Sequence, residues 1–155
     1  MVEFTHIHNE RAQMVDISAK SDIIREAVAA GKIFLKPETL KAIREGSVVK
    51  GNVLSTARVA ATLSVKNTPS LIPMCHSIPI SAIEVDFEEG NGFIETTVRV
   101  KSTGNTGVEM EALVGVSIAL LTVWDMVKSA EKDKDGQYPV TRIKEIRVIE
   151  KKKGK

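Results

Sequence analysis

The stretch IEVDFEEGNGFIETTVRVK, residues 83–101, decides the fold class. Ile83, Val85 and Phe87 alternate with Glu84, Asp86 and Glu88, the period-two pattern of a strand with one apolar and one acidic face. Gly90-Asn-Gly92 supplies a hairpin turn. On the return, Ile94, Thr96, Val98 and Val100 alternate with Glu95, Thr97, Arg99 and Lys101, so acid–base pairs across the polar faces are expected. The pattern predicts antiparallel strands over 78–88 and 93–101.

Outward from this hairpin, residues 108–130 read as the longest helix, with Leu113, Val116, Leu120, Val123 and Val127 on one stripe. A charged turn, 132–136, precedes a last strand over 140–149. Upstream, residues 37–45 read as a short helix, with Pro37 in its first turn and Gly46 at its end. Residues 53–65 read as a longer helix, with Val53, Ala57, Ala60, Ala61 and Ser64 at helical spacing. Pro69 and Pro73 predict a loop. Residues 23–35 read as extended, because Gly31 would interrupt a helix and Ile33-Phe-Leu35 favours a strand. The apolar run Met14-Val-Asp-Ile17 reads as a short strand, and residues 1–11 as a loose arm. The order predicts a single α+β domain over 1–155, a ferredoxin-like sandwich with helices packed on one face of an antiparallel sheet.

The 155 residues, 43% hydrophobic and 27% charged, have the composition of one soluble globular domain. That length buries a core without disulfides. Four Phe, one Tyr and one Trp are too few for a module that stacks bases on aromatic platforms. Net charge is +2, but four lysines lie in the tail 151–155, so the remaining chain is slightly acidic. It carries no basic field for duplex nucleic acid. The tail itself reads as a solvated lysine-rich end. Cys75, the sole cysteine, excludes an internal disulfide and a four-cysteine zinc site, and fits a reducing compartment. The N-terminus is too polar for a signal peptide. The longest uncharged run, 112–124, falls short of the roughly 20 residues that span a bilayer. A cytoplasmic protein without membrane or nucleic-acid partners is expected.

No Walker loop, dinucleotide fingerprint or zinc-protease motif is present. Four clusters could carry chemistry. Pro73-Met-Cys-His76 sets a thiol beside an imidazole. Adjacent side chains of an extended segment point apart, so this is a poor nucleophile–base couple. The pair reads either as a buried cysteine with a surface histidine, or as His76 supplying a proton or an anion contact. Gly104-Asn-Thr-Gly-Val-Glu-Met-Glu111 runs into a helix N-terminus, where Glu109 and Glu111 either complement the helix dipole or form a general-base or cation site. Asp125 and Lys128, three apart on the long helix, are either a surface ion pair or an acid–base couple tuned by partial burial. Lys50-Gly-Asn52, opening a helix, would suit a phosphate.

Met14-Val-Asp-Ile-Ser-Ala-Lys20, Lys50-Gly-Asn with Thr56-Ala-Arg58, Leu71-Ile-Pro-Met-Cys-His76, Thr106-Gly-Val-Glu-Met-Glu-Ala-Leu113 and Trp124-Asp-Met-Val-Lys128 follow one another in this order. The series resembles the cyclic pyranopterin monophosphate synthase family, the C protein of molybdenum cofactor biosynthesis, over about residues 4–151. The resemblance implies a ferredoxin-like subunit in a homohexamer built as a trimer of dimers, with the active site at a dimer interface. It implies a lyase that rearranges 3′,8-cyclo-7,8-dihydroguanosine 5′-triphosphate to cyclic pyranopterin monophosphate and releases pyrophosphate. No resident cofactor or protein-held metal is implied, although Mg²⁺ can accompany the triphosphate. The family's catalytic Asp and Lys match Asp125 and Lys128. Its substrate-binding residues match Met74, Cys75, His76, Met110 and Glu111, with Glu109 just before, and its anion-binding cations match Lys50, Lys20 and Arg25. Lys151 is the best match for the family's late lysine, although the Gly-rich turn that usually carries it is absent here. The alternative is a non-catalytic oligomeric ferredoxin-like module that binds a small anionic ligand between subunits. One distance bears on the site. If the long helix is unbroken, the 14 steps from Glu111 to Asp125 span about 21 Å at about 1.5 Å per residue, so either one of the two is structural or the site is completed across a subunit boundary.

Overall fold

The computed structural model describes residues 7–8 and 11–154. Of the loose arm expected over 1–11, eight residues lie outside them, while Ile7, His8 and Arg11 fall in a short strand pair. The chain runs through β1 (Ile7–His8), β2 (Arg11–Ala12), β3 (Ile23–Phe34), α1 (Pro37–Glu45), α2 (Val53–Lys66), α3 (Thr68–Leu71), β4 (Ile80–Gly90), β5 (Phe93–Gly104), α4 (Glu109–Glu131) and β6 (Arg142–Lys153). β1 and β2 pair with each other. The four long strands form one antiparallel sheet in the order β4-β5-β3-β6. This is the α+β arrangement expected, with helices packed on one face.

The hairpin forms as its alternation dictates. Val98 and Val100 are buried towards the helices, while Glu84 stands opposite Arg99 across the ladder. Arg99 Nε lies 3.5 Å from Glu84 and its Nη1 lies 2.5 Å from Glu26 on β3, so the acid–base pairing extends over three strands. The α4 stripe of Val116, Leu120 and Val123 is fully buried with Ala29, Ile33 and Val98 of the sheet. Gly31 makes that contact possible: a Cβ there would lie 2.9 Å from Val116 Cγ1 and 3.0 Å from both Leu120 Cδ1 and Ile146 Cγ1. It is therefore a point of close approach between sheet and helix. Gly46 ends α1 at φ 67°, and its N–H returns to the carbonyls of the last turn.

Two expectations fail for identifiable reasons, and a third is incomplete. Residues 14–17 are not a strand. The carbonyls of Val15 and Ile17 accept from His76 and Asn105 side chains instead of a neighbouring strand. The Pro69–Pro73 region is not all loop, because Pro69 opens the short helix α3, where its missing N–H costs nothing. The lysine-rich tail is solvated, as expected, but its described residues are also ordered. Lys151, Lys152 and Lys153 continue β6 opposite Ala27, Glu26 and Arg25 of β3, and the Gly154 N–H reaches Ile24 O at 2.7 Å. Strand pairing, invisible in a run of like charges, orders it.

The membrane test also changes once the helix is seen whole. α4 has 23 residues and a mean hydropathy of 1.7 in its most apolar window, enough by length and composition to cross a bilayer. Its apolarity has a local use: one side packs on β3 and β5 and another meets α2.

Candidate functional site

A cleft of about 620 Å³ opens where the start of β3, the end of β5, the N-terminus of α4 and the end of β6 meet. The topology brings these ends together because β3 pairs with β5 on one side and β6 on the other. Met74, Cys75 and His76 line one wall, and Glu109, Met110 and Glu111 line the helix end. Lys20, Arg25 and Lys151 complete it. Every substrate-binding residue expected from the sequence is here except Lys50.

The cleft is electrostatically mixed. Lys151 Nζ forms an ion pair with Glu109. Burial works against the Glu109 charge, but the Lys151 hydrogen bond, with a backbone N–H and the nearby Arg25, holds its carboxyl below the usual range. Glu111 is only 3% exposed. Burial pushes its carboxyl up, and the adjacent Glu109 charge adds to that, against a backbone hydrogen bond. Two carboxylates two positions apart are thus driven in opposite directions, as an acid and a base need. The Arg25 guanidinium is anchored to Gly104 O at 3.3 Å.

Cys75 and His76 both face this cleft rather than opposite sides, because they leave the turn closed by Cys75 N on Ile72 O and are not in a strand. Burial, then the Glu111 charge, pushes the Cys75 thiol up. That leaves it protonated and weakly nucleophilic. His76 Nε2 lies 2.8 Å from Val15 O. A carbonyl can only accept, so Nε2 carries the proton and Nδ1 is left free to act. Cys75→Ser is expected to keep much of the activity, within about tenfold of the parent kcat, because no thiolate is prepared here. A folded Cys75→Ser protein with no turnover, or substrate trapped on sulfur, would refute this.

The catalytic candidates lie elsewhere. Asp125 Oδ1 receives Lys128 Nζ at 2.7 Å, and Asp125 Oδ2 receives Lys50 Nζ at 2.9 Å. Lys50 also donates to Asp125 O at 2.8 Å. The phosphate site expected at the start of α2 is therefore not assembled. Asn52 caps that helix by accepting from Ser55 N at 2.8 Å, and Lys50 turns away to Asp125. Nor is the Asp–Lys pair partly buried, since the side chains are 57% and 47% exposed. Hydrogen bonds from Lys128 and then Lys50 pull the Asp125 carboxyl down to about 2, and Asp125 raises Lys128 in return. Both groups are charged at neutral pH. A depressed carboxyl contributes its pairing energy above 3.8 and loses it as pH falls through about 2. The Asp125 carboxyl resonance should titrate near that lower value, and Lys128→Ala should move the midpoint up towards 3.8. A midpoint unmoved by the substitution would break the assignment of Lys128 as its main partner.

α4 is continuous from Glu109 to Glu131. The 14 steps from Glu111 to Asp125 therefore span about 21 Å, and neither Asp125, Lys128 nor Lys50 borders the cleft. A second hollow of about 570 Å³, floored by Val48, Val49 and Met126, adjoins Lys50. Among the described residues, no group of three or more His, Cys, Asp or Glu could hold a metal. Lys153 lines the cleft unanticipated, and Asn105 and Thr106, which the sequence offers only as part of the run into α4, line it too. Lys153 was available from strand periodicity once Lys151 was placed.

A model of the MoaC family matches residues 14–154. A Methanoregula boonei protein is 75% identical over 154 residues, covering 99% of each chain. A Methanospirillum hungatei protein is 65% identical over 153 residues, covering 99% of this chain and 98% of its own. A Pyrococcus abyssi protein is 54% identical over 147 residues, covering 95% and 92%. All three bear the name probable cyclic pyranopterin monophosphate synthase.

Proposed function

Because the chain belongs to the MoaC family, we propose that it is a cyclic pyranopterin monophosphate synthase of molybdenum cofactor biosynthesis. In reaction class it is a phosphorus–oxygen lyase acting on 3′,8-cyclo-7,8-dihydroguanosine 5′-triphosphate. The observation that carries this reading is the convergence of Lys20, Arg25, Lys151 and Lys153 on one cleft with Glu109, Glu111 and His76. Four cations suited to a triphosphate stand beside groups suited to moving protons.

The chemistry follows from those groups. Opening and re-closing the purine-derived ring needs repeated proton transfers. Glu111, whose burial favours its neutral form, is placed to give a proton, and His76 Nδ1 to take one. Cyclic phosphate formation is attack by a ribose hydroxyl on the α-phosphorus. The new phosphorus–oxygen bond forms as the bond to the β-phosphate oxygen breaks, the hydroxyl proton passes to a base, and pyrophosphate leaves. Lys and Arg side chains stabilise that leaving charge. Lys151 must first exchange Glu109 for phosphate. The reaction needs no resident cofactor, and Mg²⁺ can travel with the triphosphate.

The site is composite in this proposal. Two antiparallel copies of α4 would bring one chain's Glu111 near its partner's Asp125, consistent with a homohexamer built as a trimer of dimers. The exposure of Asp125 and Lys128 supports this, because a second copy would cover them and remove the water that now screens both charges. Incubation with the cyclised triphosphate should release pyrophosphate and yield the cyclic monophosphate. Tight substrate binding without pyrophosphate release would favour the non-catalytic binding module.

A further inference from the structure

The segment from Val15 to Lys20 lies against the cleft but belongs to no sheet or helix. Two side chains hold it there. His76 Nε2 meets Val15 O at 2.8 Å, and Asn105 Nδ2 donates to Ile17 O at 3.1 Å. In an extended segment, carbonyls two apart point to the same side, so both tethers pull it towards the cleft. The Ile17 carbonyl accepts a second time, from Lys20 N at 3.0 Å. That bond closes the turn Ile17–Lys20. Within the turn, Asp16 Oδ1 accepts from Ser18 N at 2.9 Å and Ser18 Oγ at 2.5 Å. One carbonyl thus joins the turn that carries Lys20 to the β5–α4 connection that carries Glu109 and Glu111, and both its lone pairs are used.

The lysine cannot place itself. Among the described residues Lys20 forms no ion pair, and its exposed four-carbon stem has many rotamers. Where its ammonium stands over the cleft is set by where its backbone is fixed. Asn105 is suited to fixing it: it is half-buried, follows the end of β5 directly, and reaches across 88 positions of sequence to the turn.

We propose that Asn105 is a positioning residue for anion binding: by donating to the Ile17 carbonyl, it fixes the Ile17–Lys20 turn so that Lys20 faces the cleft that Arg25 and Lys151 also line. This rests on the reading of Lys20 as a polyphosphate contact, and its test separates the two claims. Affinity for inorganic tripolyphosphate and steady-state kinetics would be measured for Asn105→Ala, Lys20→Ala and the double variant. Lys20→Ala should weaken tripolyphosphate binding by about tenfold, and Asn105→Ala by about three- to tenfold, through KM and not kcat. The double variant should be no weaker than Lys20→Ala alone, because Asn105 acts through Lys20. Multiplying effects would overturn the proposal, as would unchanged affinity in Asn105→Ala, while Lys20 kept its own role. An unaffected Lys20→Ala would remove the anion role of Lys20 and the proposal with it. Amide exchange gives a readout independent of activity. In Asn105→Ala the Lys20 amide should exchange faster while the β3 and β5 amides keep their protection. Loss of protection throughout the sheet would show a merely structural asparagine and overturn the assignment.

Discussion

Lys128→Ala should abolish turnover, lowering kcat by at least about a hundredfold, the scale of losing a positioned proton-transfer group, while changing folding stability by less than about 1 kcal/mol. Structural cost is low because the Lys128 side chain is 47% exposed and packs no core position. Its ion-pair partner among the described residues, Asp125, keeps the Lys50 ammonium at 2.9 Å when Lys128 is gone. Nothing in a single chain explains a large functional cost, since the pair faces solvent and both members are charged. The cost arises only if a second copy covers the pair. Removing water there would disfavour the charged ammonium and so, against the opposing pull of Asp125, lower the cost of a proton leaving Lys128 towards substrate. Denaturant unfolding and pyrophosphate release on the same preparation check both halves. Near-native turnover would remove Lys128 from the catalytic set. A binding module predicts something else: Asp125→Asn would keep ligand affinity and have no turnover to lose.

The hairpin, α1 and α2 were legible because each carries its own local code: alternation, a Gly-Asn-Gly turn, and a proline and a glycine at opposite ends of a helix. β3 was legible for a weaker reason, as Ile33-Phe-Leu35 outweighs the helical bias of its alanines only because β5 and β6 cover it on both sides. What the sequence concealed was set by distant partners. Residues 14–17 look like a strand, yet their carbonyls are claimed by His76 and Asn105, 61 and 88 positions away. The lysine run looks solvated, yet strand alternation sends Lys151 and Lys153 into the cleft and Lys152 to Glu150 and Glu26. Lys50 looks like a phosphate ligand at a helix start, but its partner is Asp125, 75 positions on. The motifs that resemble the family located the cleft residues. Helix spacing already divides these motifs between two ends of one helix, and the unbroken α4 bears that out.

That division sets up the last expected result. Asp125→Asn and Glu111→Gln proteins should each be nearly inactive alone, yet regain activity when mixed under conditions that let subunits exchange. In a hybrid dimer with composite sites, one site takes both altered residues and the other takes neither. Random pairing makes half the dimers hybrid, so about a quarter of all sites become wild type, and recovery should approach roughly a quarter of parent activity. The argument depends on α4 being one unbroken helix from Glu109 to Glu131, which no side-chain motion can fold back across about 21 Å. It depends also on the two substitutions being quiet within their own chains. Asp125 is exposed, and Glu111→Gln keeps the shape of a side chain whose burial already favours the uncharged form. Mass spectrometry of the mixture would establish that hybrids form. Hybrids without activity would mean that each chain builds its own site and that the Glu111 cleft and the Asp125 cluster do not act on one substrate. Recovery above the level of either parent would mean that the reaction is carried out across the boundary between two copies.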